Sequence, residues 1–134
     1  MQKLATLYRS AQFYAHNAHN TTTGCTFFQD HEFFGGAYAA YEEAYDGVVE
    51  RMIGLGMAPD LLSITSNAAK AIQQYGKAKD TDECFKSLLE LEQNICSQIK
   101  QVITKATEGT QNLLQGLADE SEMRQYKIQQ RLKN

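Results

Sequence analysis

One amphipathic stretch, from Thr26 to Gly56, constrains the fold of this chain more than any other part of the sequence. Apolar and aromatic side chains recur in it at steps of three, four and seven positions, which is the pattern of a long helix with one buried face. The predicted buried residues are Phe27, Phe34, Tyr38, Tyr41, Tyr45, Val48, Met52 and Leu55. Thr26 and Gln29 fit a capping box at the start, and Gly54, Gly56 and Pro59 fit the end of a helix.

Three other segments have the same helical periodicity: residues 1–20, Asp80 to near Glu108, and Thr110 to the C-terminus. Between them, Asp60–Asn67 is a short apolar segment of about two helical turns. A single proline and nine glycines favour long regular elements joined by short loops. We therefore predict one all-α domain over residues 1–134. Its architecture is a four-helix bundle with a short extra helix in the crossover between the second and third long helices.

Composition narrows the function classes. The net charge of −3 gives no electrostatic footprint for nucleic acid. No run of about 18 apolar residues is present, so no membrane span is expected. Three widely spaced cysteines (Cys25, Cys84 and Cys96) without a CxxC motif favour buried reduced thiols, and hence a cytoplasmic location.

The central stretch also carries chemistry that packing does not require. Glu42, Asp46 and Glu50 form a row at i, i+4 and i+8 with no basic residue in it, which costs a helix about 0.2–0.5 kcal/mol per pair. His31 precedes Gly35-Gly36, and small residues continue to Ala40. His31 and Asp46 are fifteen positions apart, about 22 Å along a helix, so they cannot share one metal ion within one chain.

An antiparallel pair of copies removes this obstacle. If two such helices cross about a two-fold axis near Ala39–Ala40, position i of one faces position 79 − i of the other. His31 then faces position 48, midway between Asp46 and Glu50. A homodimer with isologous two-fold symmetry, the commonest oligomer geometry, would thus build two identical sites with histidine from one copy and carboxylates from the other.

Two simpler interpretations remain beside this one. Asp46 and Glu50 can be a solvated helix face, and His16 and His19, at i and i+3 near the end of the first helix, can interact only with the helix dipole. A di-iron site inside the bundle is not expected. It would need Glu-x-x-His on two helices, and all three histidines precede position 32.

The runs AHN (18–20), FFQDHEFF (27–34), YEEAYDGVVERMIGLG (41–56) and GTQNLLQGLADESEMRQYKI (109–128) resemble the Dps family, the miniferritins of the ferritin-like superfamily that protect DNA during starvation. The resemblance covers nearly the whole chain. The ferroxidase motif of the family is a histidine, a second histidine twelve positions later, an acid four after that, and Asp and Glu fifteen and nineteen after the second histidine. His19, His31, Asp46 and Glu50 match four of those five positions.

This resemblance implies a ferroxidase site at a two-fold interface, with His19 and His31 from one copy and Asp46 and Glu50 from its neighbour. It implies a hollow dodecameric shell, Fe(II) and hydrogen peroxide as substrates, and storage of Fe(III) as mineral. Iron is the expected metal, with zinc as a surrogate.

The sequence departs from the family pattern at three places. Gly35 stands where the family has the fifth ligand, an acid, so a shell or dimer with a degenerate metal site and a structural or interaction role is the alternative function. The family tryptophan after the first histidine is replaced by Asn20, and the chain has no tryptophan. A Lys-rich N-terminal arm is absent from the sequence, so direct DNA binding is not expected.

Overall fold

The structure, a computed structural model, describes residues 1–133. Within that range it consists of helices α1 (Gln2–Thr21), α2 (Phe27–Gly54), α3 (Leu61–Gln73), α4 (Thr81–Ile103) and α5 (Glu108–Leu132), without strands. The prediction of four long helices, with a shorter one between the second and third, is confirmed.

The packing follows from the connections. Short loops join α1 to α2 and α4 to α5, so each pair packs as a helical hairpin, and α1 also contacts α3 and α4. The face of α2 predicted to be buried supplies five core residues: Phe34, Tyr41, Tyr45, Val48 and Met52. Phe27 and Tyr38 are only half-buried. Leu55 is exposed, contrary to the prediction, because it lies just beyond the last turn of α2.

Several predicted helix ends were wrong. At the start of α2, the Thr26 hydroxyl donates to Asp30 Oδ2 at 2.7 Å instead of capping the backbone. Helix α3 runs for 13 residues, because Asp60 caps it and the buried Ala68 extends its apolar face past the predicted end. Helix α5 begins earlier than predicted, since Thr107 and not Thr110 is its N-cap.

A buried ion pair lies in the interior of the bundle. Glu92 of α4 is fully buried and accepts hydrogen bonds from Arg124 and Ser121 of α5 and from the hydroxyl of Tyr41. Burial and the neighbouring Glu92 carboxylate raise the pKa of Tyr41 well above its usual value. The Glu92 carboxylate is therefore neutralised by a guanidinium and bonded on both oxygens, which suits a structural role.

A second ion pair joins the ends of three helices. Arg131, near the end of α5, donates to both carboxylate oxygens of Asp30 in α2 at 2.9 Å and to Asp82 in α4 at 3.0 Å. Asp30 is buried, so this bidentate contact ties the end of the chain to the first turn of α2. It fixes the start of the helix that carries His31.

Candidate metal centre

The loop between α1 and α2 brings two histidines together. His19 lies in the last turn of α1, and His31 lies one turn into α2. Their imidazole rings stack with centroids 3.7 Å apart and planes inclined by 21°. The two predicted ligands are thus in contact, and their role as metal ligands stays a prediction.

Reciprocal hydrogen bonds fix the two rings. His19 Nδ1 lies 2.8 Å from the His31 carbonyl oxygen, and His31 Nδ1 lies 2.9 Å from the His19 carbonyl oxygen. A carbonyl oxygen can only accept, so each Nδ1 carries a hydrogen and donates it. In the neutral ring, Nε2 then keeps its lone pair. A backbone bond on one nitrogen with the other left open is the arrangement by which proteins orient metal-binding histidines.

The stacking determines how these nitrogens can bind metal. The lone pair of a ring nitrogen lies in the ring plane, so an ion bound by two imidazoles must lie close to both planes. For stacked rings with centroids 3.7 Å apart and planes inclined by 21°, the two planes meet only about 10 Å away, far beyond an ion–nitrogen bond of about 2.1 Å. In this arrangement, His19 and His31 can each bind an ion but cannot share one.

Aromatic side chains surround the pair. Phe27 stacks on His31 with ring centroids 4.8 Å apart, and the ring of Tyr38 meets His19 edge-on at 5.4 Å. His16 stacks on Tyr38 at 4.1 Å and 14°. The sequence pattern predicts only packing for Phe27 and Tyr38, and for His16 it predicts an interaction with the helix dipole. The i, i+3 spacing of His16 and His19 was the only signal of this cluster.

Gly35 lies directly against the His19 ring. A Cβ atom at position 35 would be 3.1 Å from both Cε1 and Nδ1 of His19, whereas one at Gly36 would meet nothing within 4 Å. Glycine at position 35 therefore allows the close approach of the His19 ring to α2. It also leaves no side chain there to bind a metal.

The predicted carboxylates lie elsewhere in the protomer. Asp46 and Glu50 are exposed on the later half of α2, as is Glu42. No group of three or more His, Cys, Asp or Glu side chains that could hold a metal ion occurs within residues 1–133. A single protomer thus brings the two histidines together and leaves Asp46 and Glu50 apart from them.

These carboxylates share an exposed stripe of α2 with apolar residues. At about 100° per residue, Phe28, Ala39, Asp46 and Ile53 point in nearly the same direction, and His31 lies at the edge of this stripe. Phe28 is 81% exposed and Ile53 is 56% exposed. Exposed large apolar residues grouped with charged ones are typical of a surface that another molecule covers.

A family model for the ferritin-like domain matches residues 2–134. The chain belongs to the ferritin-like family. Members of this family commonly bind iron, and many of them are ferroxidases or iron stores. The predicted ferritin-like fold, with its extra short helix, is confirmed by this match together with the helix order.

No curated protein sequence matches this ferritin-like chain. No helix among residues 1–133 is both long enough and apolar enough to cross a membrane. The donor types of the candidate centre agree with the family, because neutral imidazole nitrogens and carboxylate oxygens are ligands that suit iron in both oxidation states.

Cys25 is exposed, contrary to the expectation of buried thiols, while Cys84 is buried and Cys96 is half-buried.

Proposed function

We propose that this protein is a Dps-like ferroxidase and iron store. It oxidises Fe(II), with hydrogen peroxide as the oxidant, at a centre formed between two copies, and it keeps the Fe(III) as mineral inside a dodecameric shell. The observation that carries the proposal is the stacked pair of His19 and His31. Both rings donate through Nδ1 and leave Nε2 open, and the exposed Asp46 and Glu50 follow at the offsets a two-fold pairing requires.

Antiparallel pairing of α2 supports this arrangement. With position i facing position 79 − i, His31 faces position 48, between Asp46 and Glu50 of the second copy. The same pairing puts Phe28 opposite position 51 and Ile53 opposite position 26. Phe28 of one copy therefore lies within about two positions of Ile53 of the other copy. One symmetric contact thus covers both apolar ends of the stripe and completes both metal centres.

The chemistry needs two ions per centre, which agrees with the ring geometry. His19 and His31 each bind one Fe(II), and the carboxylates of the second copy hold the pair and offset its charge. Oxidation then balances as 2 Fe(II) + H₂O₂ + 2 H⁺ → 2 Fe(III) + 2 H₂O. Because two electrons reach the peroxide together, no hydroxyl radical forms.

Storage follows from the product. Fe(III) hydrolyses readily and precipitates as mineral, so a closed shell retains it. Removal of Fe(II) and peroxide together removes both reactants of hydroxyl-radical chemistry. This is the protective function we assign to the protein.

Gly35 favours one alternative. Because position 35 contributes no side chain, each centre lacks a donor on the side of the His19 ring. A protein with this deficit would keep the dimer or shell and act as a structural or interaction protein without oxidising iron.

The test is anaerobic loading of Fe(II), followed by addition of hydrogen peroxide, with Fe(III) absorbance and iron retained per chain as readouts. Wild type should oxidise two ions per centre with one peroxide and retain the iron through gel filtration. Asp46→Ala should lose both properties while keeping its helical circular dichroism. Zn(II), which cannot be oxidised, should compete with Fe(II) for the same ligands. Equal oxidation rates in wild type, Asp46→Ala and a protein-free blank would reject the ferroxidase and favour the structural alternative.

A further inference from the structure

His16 is the histidine that the proposed centre does not use, although it lies beside it. Its ring centroid is 6.3 Å from that of His19, with planes inclined by 59°. It is exposed, and neither ring nitrogen has a hydrogen-bond partner within residues 1–133. Stacking on Tyr38 at 4.1 Å holds the ring beside the pair without occupying its nitrogens.

The relation of His16 to His19 differs from that of His31 to His19. The His19 and His31 rings are nearly parallel and cannot share an ion, whereas planes inclined by 59° converge. An ion about 2.1 Å from a ring nitrogen lies about 3.2 Å from the ring centre, so two imidazoles on one ion have centroids from about 4.5 Å apart at a right angle to about 6.4 Å apart on opposite sides of the ion. The observed 6.3 Å corresponds to rings on nearly opposite sides of the ion.

The proposed pairing would bring a carboxylate of the second copy to the same level. In the antiparallel pairing, Glu42 of the second copy faces position 37, next to Tyr38, on which His16 stacks. Glu42 is exposed and has no basic partner within residues 1–133. In the acidic row of Glu42, Asp46 and Glu50, it is the residue that the proposed centre does not use.

We propose that His16 is a third imidazole ligand of the intersubunit centre, on the same ion as His19, and that Glu42 of the second copy binds this ion as well. His16 and Glu42 supply metal-binding side chains where Gly35 has none. The inference rests on the proposed function, because it assumes the intersubunit centre. It makes that centre richer in histidine, with three imidazoles and three carboxylates for two ions.

The experiment measures binding of Co(II) and Zn(II) to the full chain in a Cys25→Ser background, because the exposed Cys25 thiol is itself a metal ligand. Binding of Co(II) is followed by its visible absorbance. Coordination by His16 is followed through the ¹⁵N shifts of the histidine ring nitrogens as Zn(II) is added. His16→Phe keeps a ring on Tyr38 and removes both nitrogens, and His16→Gln removes the ring. Glu42→Gln and Asp46→Ala probe the second copy.

We expect His16→Phe, His16→Gln and Glu42→Gln each to weaken binding of one Co(II) per centre about tenfold or more. A ring nitrogen of His16 should take a coordinated shift in wild type. If Asp46→Ala removes binding while the His16 variants bind as wild type does, the inference is wrong and the proposed centre stands. If His16→Phe binds normally and only His16→Gln is impaired, His16 acts by stacking and the inference is again wrong. Absence of Co(II) binding in wild type would overturn both proposals.

Discussion

Replacing Phe28 by serine should separate the two copies and empty the metal centre. Phe28 is 81% exposed in the protomer. A phenylalanine buries about 200 Å², so about 160 Å² remains for a partner to cover. At about 25 cal/mol per Å², this is about 4 kcal/mol per copy. Two-fold symmetry removes the contact twice. Allowing only half of the area term for an interface still leaves about 4 kcal/mol per dimer, a rise of about a thousandfold in the dimer Kd.

Sedimentation equilibrium over a range of concentrations measures this Kd. Met123→Ser, an exposed methionine on α5 outside the α2 stripe, is the matched change from an apolar residue to serine and should leave the dimer Kd unchanged. The Phe28→Ser protein should lose Co(II) binding when dilute and recover it as its concentration rises through the new Kd. The reasoning is refuted if Phe28→Ser dimerises as tightly as Met123→Ser, or if dilute monomers bind Co(II) with wild-type affinity.

Three further expectations concern stability. Gly36→Ala should raise the free energy of unfolding by about 0.5–1 kcal/mol in urea titrations. Gly35→Ala should gain less stability and should weaken Co(II) binding, because its Cβ would lie 3.1 Å from the His19 ring. Equal behaviour of the two variants would contradict this expectation. Arg124→Met should lower the free energy of unfolding by about 3–5 kcal/mol, since it leaves the Glu92 carboxylate buried without its cation. Adding Glu92→Leu should restore part of that loss. A loss below about 1 kcal/mol for Arg124→Met would count against this expectation. Burial raises the pKa of Tyr14 to about 12 from its usual value of 10.0, so the stability from its neutral form is complete below pH 10 and disappears as the pH rises from 10 to 12. Helical ellipticity should then fall as the pH rises through that window, and helices that keep their full stability up to pH 12 would disagree.

The sequence predicted the fold well because helical periodicity is a strong local signal. The long apolar pattern of α2 survived in the structure, and its core positions Phe34, Tyr41 and Val48 are buried as expected. The ends were less predictable, because capping depends on which competing hydrogen bond forms. Thr26 had a suitable partner in Gln29 but bonds Asp30, which Arg131 holds from the far end of the chain.

The candidate site was predicted in part. The spacing of His19 and His31 predicted their association, but the reciprocal backbone bonds and the stacking depend on the geometry of the loop between α1 and α2. The spacing of Asp46 and Glu50 still rests on a second copy and stays a prediction. Glu92 had a visible signal as a charge within the apolar face of α4, but its partner Arg124 is 32 positions later, where no local pattern identifies it.

The central claim is that each metal centre takes its histidines from one copy and its carboxylates from another. Complementation tests it most directly. One chain carries His19→Ala with His31→Ala, the other carries Asp46→Ala with Glu50→Ala, and the two are refolded together in equal amounts. With Cys25→Ser in both chains, each chain alone should neither bind Co(II) nor oxidise Fe(II). Random pairing joins intact histidines to intact carboxylates in about one quarter of the centres, so the mixture should recover about a quarter of the wild-type capacity. A mixture as inactive as its two components would contradict the claim.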